Sequence, residues 1–84
     1  PYLRGRAIRL IRGMLGDEKT EGLDLFDRVQ LVHVIHICRT SPSLSEAGRV
    51  LFAVSRQRKK NANDADRLRK YLSRFSLEWK HVRG

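Results

Sequence analysis

A single cysteine, Cys38, is all the thiol chemistry in this 84-residue chain. That excludes a disulfide framework and a thiol-based metal cage, and it fits a reducing, cytoplasmic setting. No apolar run reaches the roughly 18 residues that a membrane-spanning helix needs, so no membrane partner is expected. Nucleophile–base pairs and glycine-rich phosphate loops are missing as well, and neither an enzyme nor a bound cofactor is expected. His33, His36 and Cys38 raise the thought of zinc. On a helix, however, Cys38 points away from the two histidines, and no fourth ligand is near, so packing is expected and a metal is not. Repeats and low-complexity segments are absent too. The chain opens on Pro1 without an initiator Met, which suggests a piece of a larger or processed protein whose other part holds further activities.

Acidic residues are the other scarcity: nine Asp and Glu stand against eighteen Lys and Arg, for a formal charge of +9. The imbalance is uneven. Residues 1–16 carry four arginines and no acid, residues 17–54 four bases and six acids, and residues 55–84 ten bases and three acids. A basic terminal third beside a nearly neutral middle is the footprint of a nucleic-acid binder. The 40% hydrophobic content argues for a folded chain, while the length limits it to one domain with a modest core, a situation often relieved by self-association.

Apolar spacing predicts an all-α domain. Leu3, Ala7, Leu10, Ile11 and Met14 recur at helical intervals in residues 3–15, weakened by Gly5 and Gly13. Residues 16–22, GDEKTEG, suggest a polar connection. Residues 23–39, LDLFDRVQLVHVIHICR, are apolar around most of a helix, with Asp24 placed to cap its start. So apolar a helix in so small a domain must bury two faces, and the second is best explained by another subunit. The expected dimer surface is Leu10, Ile11, Met14, Phe26, Val29, Val32 and Ile37. Pro42 then breaks the chain, and Ser43 or Ser45 can cap a helix starting near Leu44. Gly48 inside that helix costs about 1 kcal/mol relative to Ala and marks a place where another helix crosses closely. Asn63 caps the last helix, Asp64 and Asp66 occupy its first turn, and Ala65, Leu68, Leu72 and Phe75 form its apolar stripe. Residues 76–84 are a tail whose Leu77 and Trp79 fold back on the core. The expected organisation is therefore residues 1–41 for dimerisation, 43–76 for a helix-turn-helix with an extended turn, and 77–84 as the tail.

Helix, break, then a helix with a basic outer face is the order a helix-turn-helix DNA reader requires, its second helix lying in the major groove. Asp66, Arg67, Lys70, Ser73 and Arg74 are assigned to the exposed face of that second helix, with Arg69 and Asn63 beside them as DNA-binding candidates. Arg56, Arg58, Lys59 and Lys60 in the connection are expected to hold phosphates. Asp64 and Asp66 suit the N-terminal helix dipole, and Asp66 is also placed to accept from a cytosine amine.

The motifs sharpen this reading. EAGRVL, Glu46–Leu51, resembles the EAARLL brace-helix motif of the Fis-type helix-turn-helix that ends sigma-54-dependent activators. RLRKYLSRFSL, Arg67–Leu77, resembles their recognition-helix pattern TLxRKLxxxGL, with Leu68, Leu72, Lys70 and Leu77 on the matching positions. Together, DLFDRVQL, SLSEAGRVLFAVSR and NDADRLRKYLSRFSLEW resemble the RtcR subgroup, activators of the bacterial RNA-repair operon, over residues 23–79. The connection is longer by roughly ten residues than in the broader Fis-type family, and Ser76 stands where glycine commonly ends the helix there. The resemblance implies double-stranded DNA at upstream activator sites as the partner. It also implies a parent protein with an AAA+ ATPase and a CARF-type sensor, which meets sigma-54 RNA polymerase through domains absent here.

Two other classes compete. A basic helical module binding RNA would use Arg58, Lys59 and Lys60 with Tyr71 and Trp79 stacking on bases. A pure dimerisation module would carry its charge incidentally.

Overall fold

The computed structural model describes residues 6–58 and 63–83. All regular structure among them is helical: α1 Arg6–Leu15, α2 Asp17–Glu21, α3 Leu25–Arg39, α4 Leu44–Leu51, α5 Ala53–Arg56, α6 Asp64–Ser73 and α7 Trp79–Arg83. The all-α expectation holds. Three segments expected to be irregular are helical, α2, α5 and α7. The polar connection contains α2, because Gly16, at φ 87°, turns the chain after α1 and Asp17 and Glu18 supply an acidic first turn. Arg12 ties α1 to α2 through Asp17 and Glu21, at 3.5 and 2.7 Å. Thr20, fully buried, donates its hydroxyl to the Gly16 carbonyl at 2.8 Å. The tail likewise coils into α7, which packs on α3 through Val82 and is held where Arg39 Nε donates to the Val82 carbonyl at 3.0 Å.

Helix α3 is the central element, in contact with α1, α4 and α7. Its inward stripe is Leu31, Val34, Ile35 and Cys38, the i, i+3, i+4, i+7 spacing of one helical face. Ala47 of α4, Leu68 and Leu72 of α6, then Phe75, Leu77 and Val82, join that stripe in one core. Each large apolar side chain fully buried there contributes roughly 1.5–3 kcal/mol. Asp24 does stand at the N-cap of α3 with extended backbone, but its side chain makes no capping bond, contrary to expectation. Arg28 braces the α2–α3 corner instead, donating to the Leu23 carbonyl at 3.0 Å and the Glu21 carbonyl at 3.2 Å.

Pro42 and its neighbours turn the chain into α4. Ser43 is its N-cap, accepting from the Glu46 amide at 3.1 Å, and Ala47 and Gly48 are its buried residues. The chain kinks at Phe52 and coils once more as α5, inside what the sequence suggested was only connection. Asn63 caps α6 through Oδ1, which accepts from the Asp66 amide at 3.2 Å. After α6 the chain closes in a Schellman motif: the Leu77 amide bonds the Leu72 carbonyl at 3.0 Å and the Ser76 amide the Ser73 carbonyl at 3.0 Å. Ser76 therefore sits at φ 59°, the left-handed position where glycine is usual.

Candidate nucleic-acid interface

Helices α4 and α6 cross where Gly48 has no side chain, and the α6 stripe Leu68, Leu72 is seated in the core below. The opposite side of α6 is thereby turned outward. On it stand Asp66, Arg69, Lys70 and Ser73, again at i, i+3, i+4, i+7 spacing. Lys70 Nζ lies 2.9 Å from Asp66 Oδ2 and Arg69 Nη1 3.3 Å from Asp66 Oδ1. The hydrogen bond from Lys70 holds the Asp66 carboxyl below its ordinary value against the opposing effect of burial, with the charges of Lys70 and Arg69 assisting. Both cations are well exposed, at 76% and 61%, so these pairs are weak and exchange easily for phosphate or a base edge. Ser73 bonds back to the Arg69 carbonyl at 2.9 Å.

The remaining basic candidates divide. Arg67 does not share the face of Lys70. Its guanidinium lies 3.9 Å from the centre of the Phe52 ring, and Nη1 donates to Ser55 Oγ at 2.8 Å. The assignment of Arg67 to the outer face is thus corrected: one turn from Asp64, it follows the flank that meets α5. Arg74 also leaves that face and lies near the rings of Tyr71 and Phe75, at 5.7 and 5.5 Å. Arg56 Nε is 2.8 Å from Asp64 Oδ2, and Asp64 is itself buried. Asp64 is thus more than a partner for the helix dipole. Arg58 is exposed in the turn just beyond α5, while Lys59 and Lys60 lie outside the described residues. The Asn63 side chain is occupied by its cap.

Two residues that the sequence did not suggest for this region line a cleft beside the face. A cleft of about 420 Å³ opens beside α6 between Leu44, Arg69, Ser73, Trp79 and Lys80. Lys80 is exposed along its rim, and Trp79 folds back on the core as expected, partly buried against it. Their signal in the sequence was the WK pair of the tail, which looks irregular until α7 folds beside α6.

The seven dimer candidates separate by burial. Ile11 and Val32 are buried inside the chain's own interior, and Leu10, Met14 and Ile37 are half-buried against its core. Phe26 and Val29 are exposed, Phe26 at 73%, next to Leu25 at 68%. A short chain with few apolar residues uses its N-terminal helix for its own core first. An apolar groove lies along α3 beside Val29, between His33, Leu51, Phe52 and Tyr71. Among the described residues, His33, His36 and Cys38 take part in no cluster able to hold a metal.

The RtcR C-terminal DNA-binding domain family matches residues 4–82 of the chain. The chain is also 62% identical over 72 residues to the transcriptional regulatory protein RtcR of Escherichia coli strain K12, a match covering 86% of this chain and 13% of that protein. The chain therefore spans only a small part of that relative's length. No solved structure matches it. The chain belongs to the RtcR C-terminal DNA-binding domain family, and it is a DNA-binding domain of a transcriptional regulator.

Proposed function

We propose that this member of the family binds duplex DNA sequence-specifically, by laying the Asp66, Arg69, Lys70, Ser73 face of α6 in the major groove. The observation that carries the reading is that this face is exposed and charged on a helix whose other side is anchored in the core. Lys70 and Arg69 reach base edges or phosphates, Ser73 bonds either, and Asp66 disfavours wrong placements while accepting from a cytosine amine. Lys80 and Arg58 flank the face and hold the DNA backbone. Lys59 and Lys60 are assigned the same task.

Two copies reading two half-sites about one helical turn, 34–36 Å, apart complete the proposal. Exposed Leu25, Phe26 and Val29 on α3 supply the apolar surface for that pairing. As part of a longer regulator, the domain delivers an ATPase-bearing activator to upstream sites of an RNA-repair operon, where other domains meet sigma-54 RNA polymerase. That assignment extends the family resemblance to the parent protein. Tyr71 and Trp79, the aromatics a single-strand RNA clamp needs for stacking, are both packed against the core, which favours duplex DNA.

The test is Lys70→Ala against a duplex selected from a random pool by the unmodified chain. A loss of about 1–3 kcal/mol on that duplex, with a much smaller change on a scrambled one, is expected. Unchanged binding to both removes α6 from the role of reader.

A further inference from the structure

We propose that Arg56 and Arg67, which look like DNA contacts in the sequence, are instead positioning residues that clamp α5 against the first turns of α6 and so set the angle of the reading helix. The inference rests on the reading of α6 as the helix that enters the groove.

In a helix-turn-helix with a turn of three or four residues, the turn itself limits the angle between the two helices. Here residues 52–63 separate α4 from α6, and a connection of that length imposes little geometry of its own. Side-chain contacts must supply the constraint. The structure assigns it to three contacts. Backbone meets backbone where Gly48 of α4 lies against Asp64. Asp64, 6% exposed, takes the Arg56 guanidinium from the last residue of α5. One turn on, Arg67 reaches back across α5, covering the Phe52 ring and bonding Ser55. Asp64 and Arg67, at i and i+3, lie on one flank of α6, and Phe52, Ser55 and Arg56 follow one another along the short turn they hold.

The charges are matched for this work. An aspartate buried at a basic protein's DNA face is unfavourable unless a cation meets it, and Arg56 does so through Nε at 2.8 Å. A guanidinium stacked on an aromatic ring and bonded to a hydroxyl has lost much of the freedom to reach for phosphate. Two cations of the basic terminal third thus hold the reading helix to its brace.

The experiment uses the whole chain with two probes: a duplex selected from a random pool and a scrambled duplex of equal length, each titrated over a range of salt. Arg56→Ala and Asp64→Asn are each expected to weaken the selected duplex about tenfold, to change the scrambled one by less than about twofold, and to leave the salt slope unaltered. Combined, they are expected to be no worse than either alone. The paired exchange Arg56→Gln with Asp64→Asn, which retains a neutral hydrogen bond between the two positions, is expected to restore most of the lost affinity. A role in phosphate binding predicts otherwise: Arg56→Ala would weaken both duplexes alike, lower the salt slope by about one, and gain nothing from the paired exchange. That result overturns the clamp. If Arg56→Ala loses its helical circular dichroism, the paired exchange decides: recovery of discrimination supports the clamp, and loss of discrimination in a folded chain refutes it. Failure of the underlying reading looks different, since Lys70→Ala would then leave both duplexes untouched and no groove angle would need setting.

Discussion

Gly48 of α4 stands directly against the backbone of Asp64 at the start of α6. A Cβ at position 48 would come within 2.8 Å of the Asp64 carbonyl oxygen and 2.9 Å of its carbonyl carbon. Both atoms are backbone, so a side chain at 48 can be admitted only by pushing the two helices apart. The first turn of α6 is therefore set on α4 by the lack of a methyl group.

Gly48→Ala is accordingly expected to destabilise the domain. The helix-propensity gain of about 1 kcal/mol is outweighed by overpacking of about 1–3 kcal/mol, and the displaced α6 should also lose discrimination between DNA sequences. Urea denaturation followed by circular dichroism measures the first effect, and titration with selected and scrambled duplexes the second. A Gly48→Ala chain more stable than the parent would show that the helices separate without cost.

Ser76→Gly should act in the opposite direction. Ser76 holds φ 59° at the residue that closes α6, where a Cβ is unfavourable, and Gly removes that strain while adding freedom to the unfolded chain. The net expectation is a gain of about 0.5–1 kcal/mol, visible as a higher denaturation midpoint with an unchanged denaturant slope.

Asp66→Asn is expected to strengthen binding to scrambled DNA and to weaken discrimination. The substitution removes a negative charge from the outer face and frees Lys70 and Arg69, so the salt slope should steepen by about one. Because Lys70 keeps the Asp66 carboxyl below its ordinary range, the parent chain should show no such gain in affinity from Asp66 as pH falls from 8 towards 5. Fluorescence anisotropy at several salt concentrations and pH values checks both statements.

Alkali should loosen the core. Burial raises the Cys38 thiol from 9.0 to about 11 and the Tyr71 phenol from 10.0 to about 12, the latter with Arg74 opposing. Both folded values lie above the unfolded ones, so the unfolded chain releases its protons first. The associated stability is complete below about pH 9 and is lost as pH rises through 11 and then 12. Thermal midpoints should fall across that window. At pH 8 a thiol reagent should modify Cys38 only when urea unfolds the chain.

The helices most legible beforehand were those whose signals are local. Ser43 and Asn63 cap α4 and α6 through bonds to residues three positions on, and the stripe Leu68, Leu72, Phe75 faces inward as its spacing requires. Less legible were α2 and α7. Each is a helix of five residues, too short to stand on local propensity, and each exists because Thr20 or Val82 is buried against a neighbour. The same limit explains the dimer candidates. Period alone grouped Phe26, Val29 and Val32, yet Val32 is buried and Phe26 is exposed, since the core-facing stripe follows Leu31, Val34, Ile35 and Cys38.

For this protein the order of residues determined an all-helical domain, the capped helices α4 and α6, and the kind of polymer its charge attracts. Those follow from periodicity, capping chemistry and net charge, which are properties of neighbours along the chain. Which cations the rest of the chain engages was decided only by tertiary structure. Arg56, Arg67 and Lys70 are equally basic in the sequence, and their roles diverge because Asp64 comes within reach of the first and Phe52 of the second, while Lys70 stays in solvent. A cation that meets a buried carboxylate or an aromatic ring is held by it, and one whose ion pair lies in water stays available to a ligand.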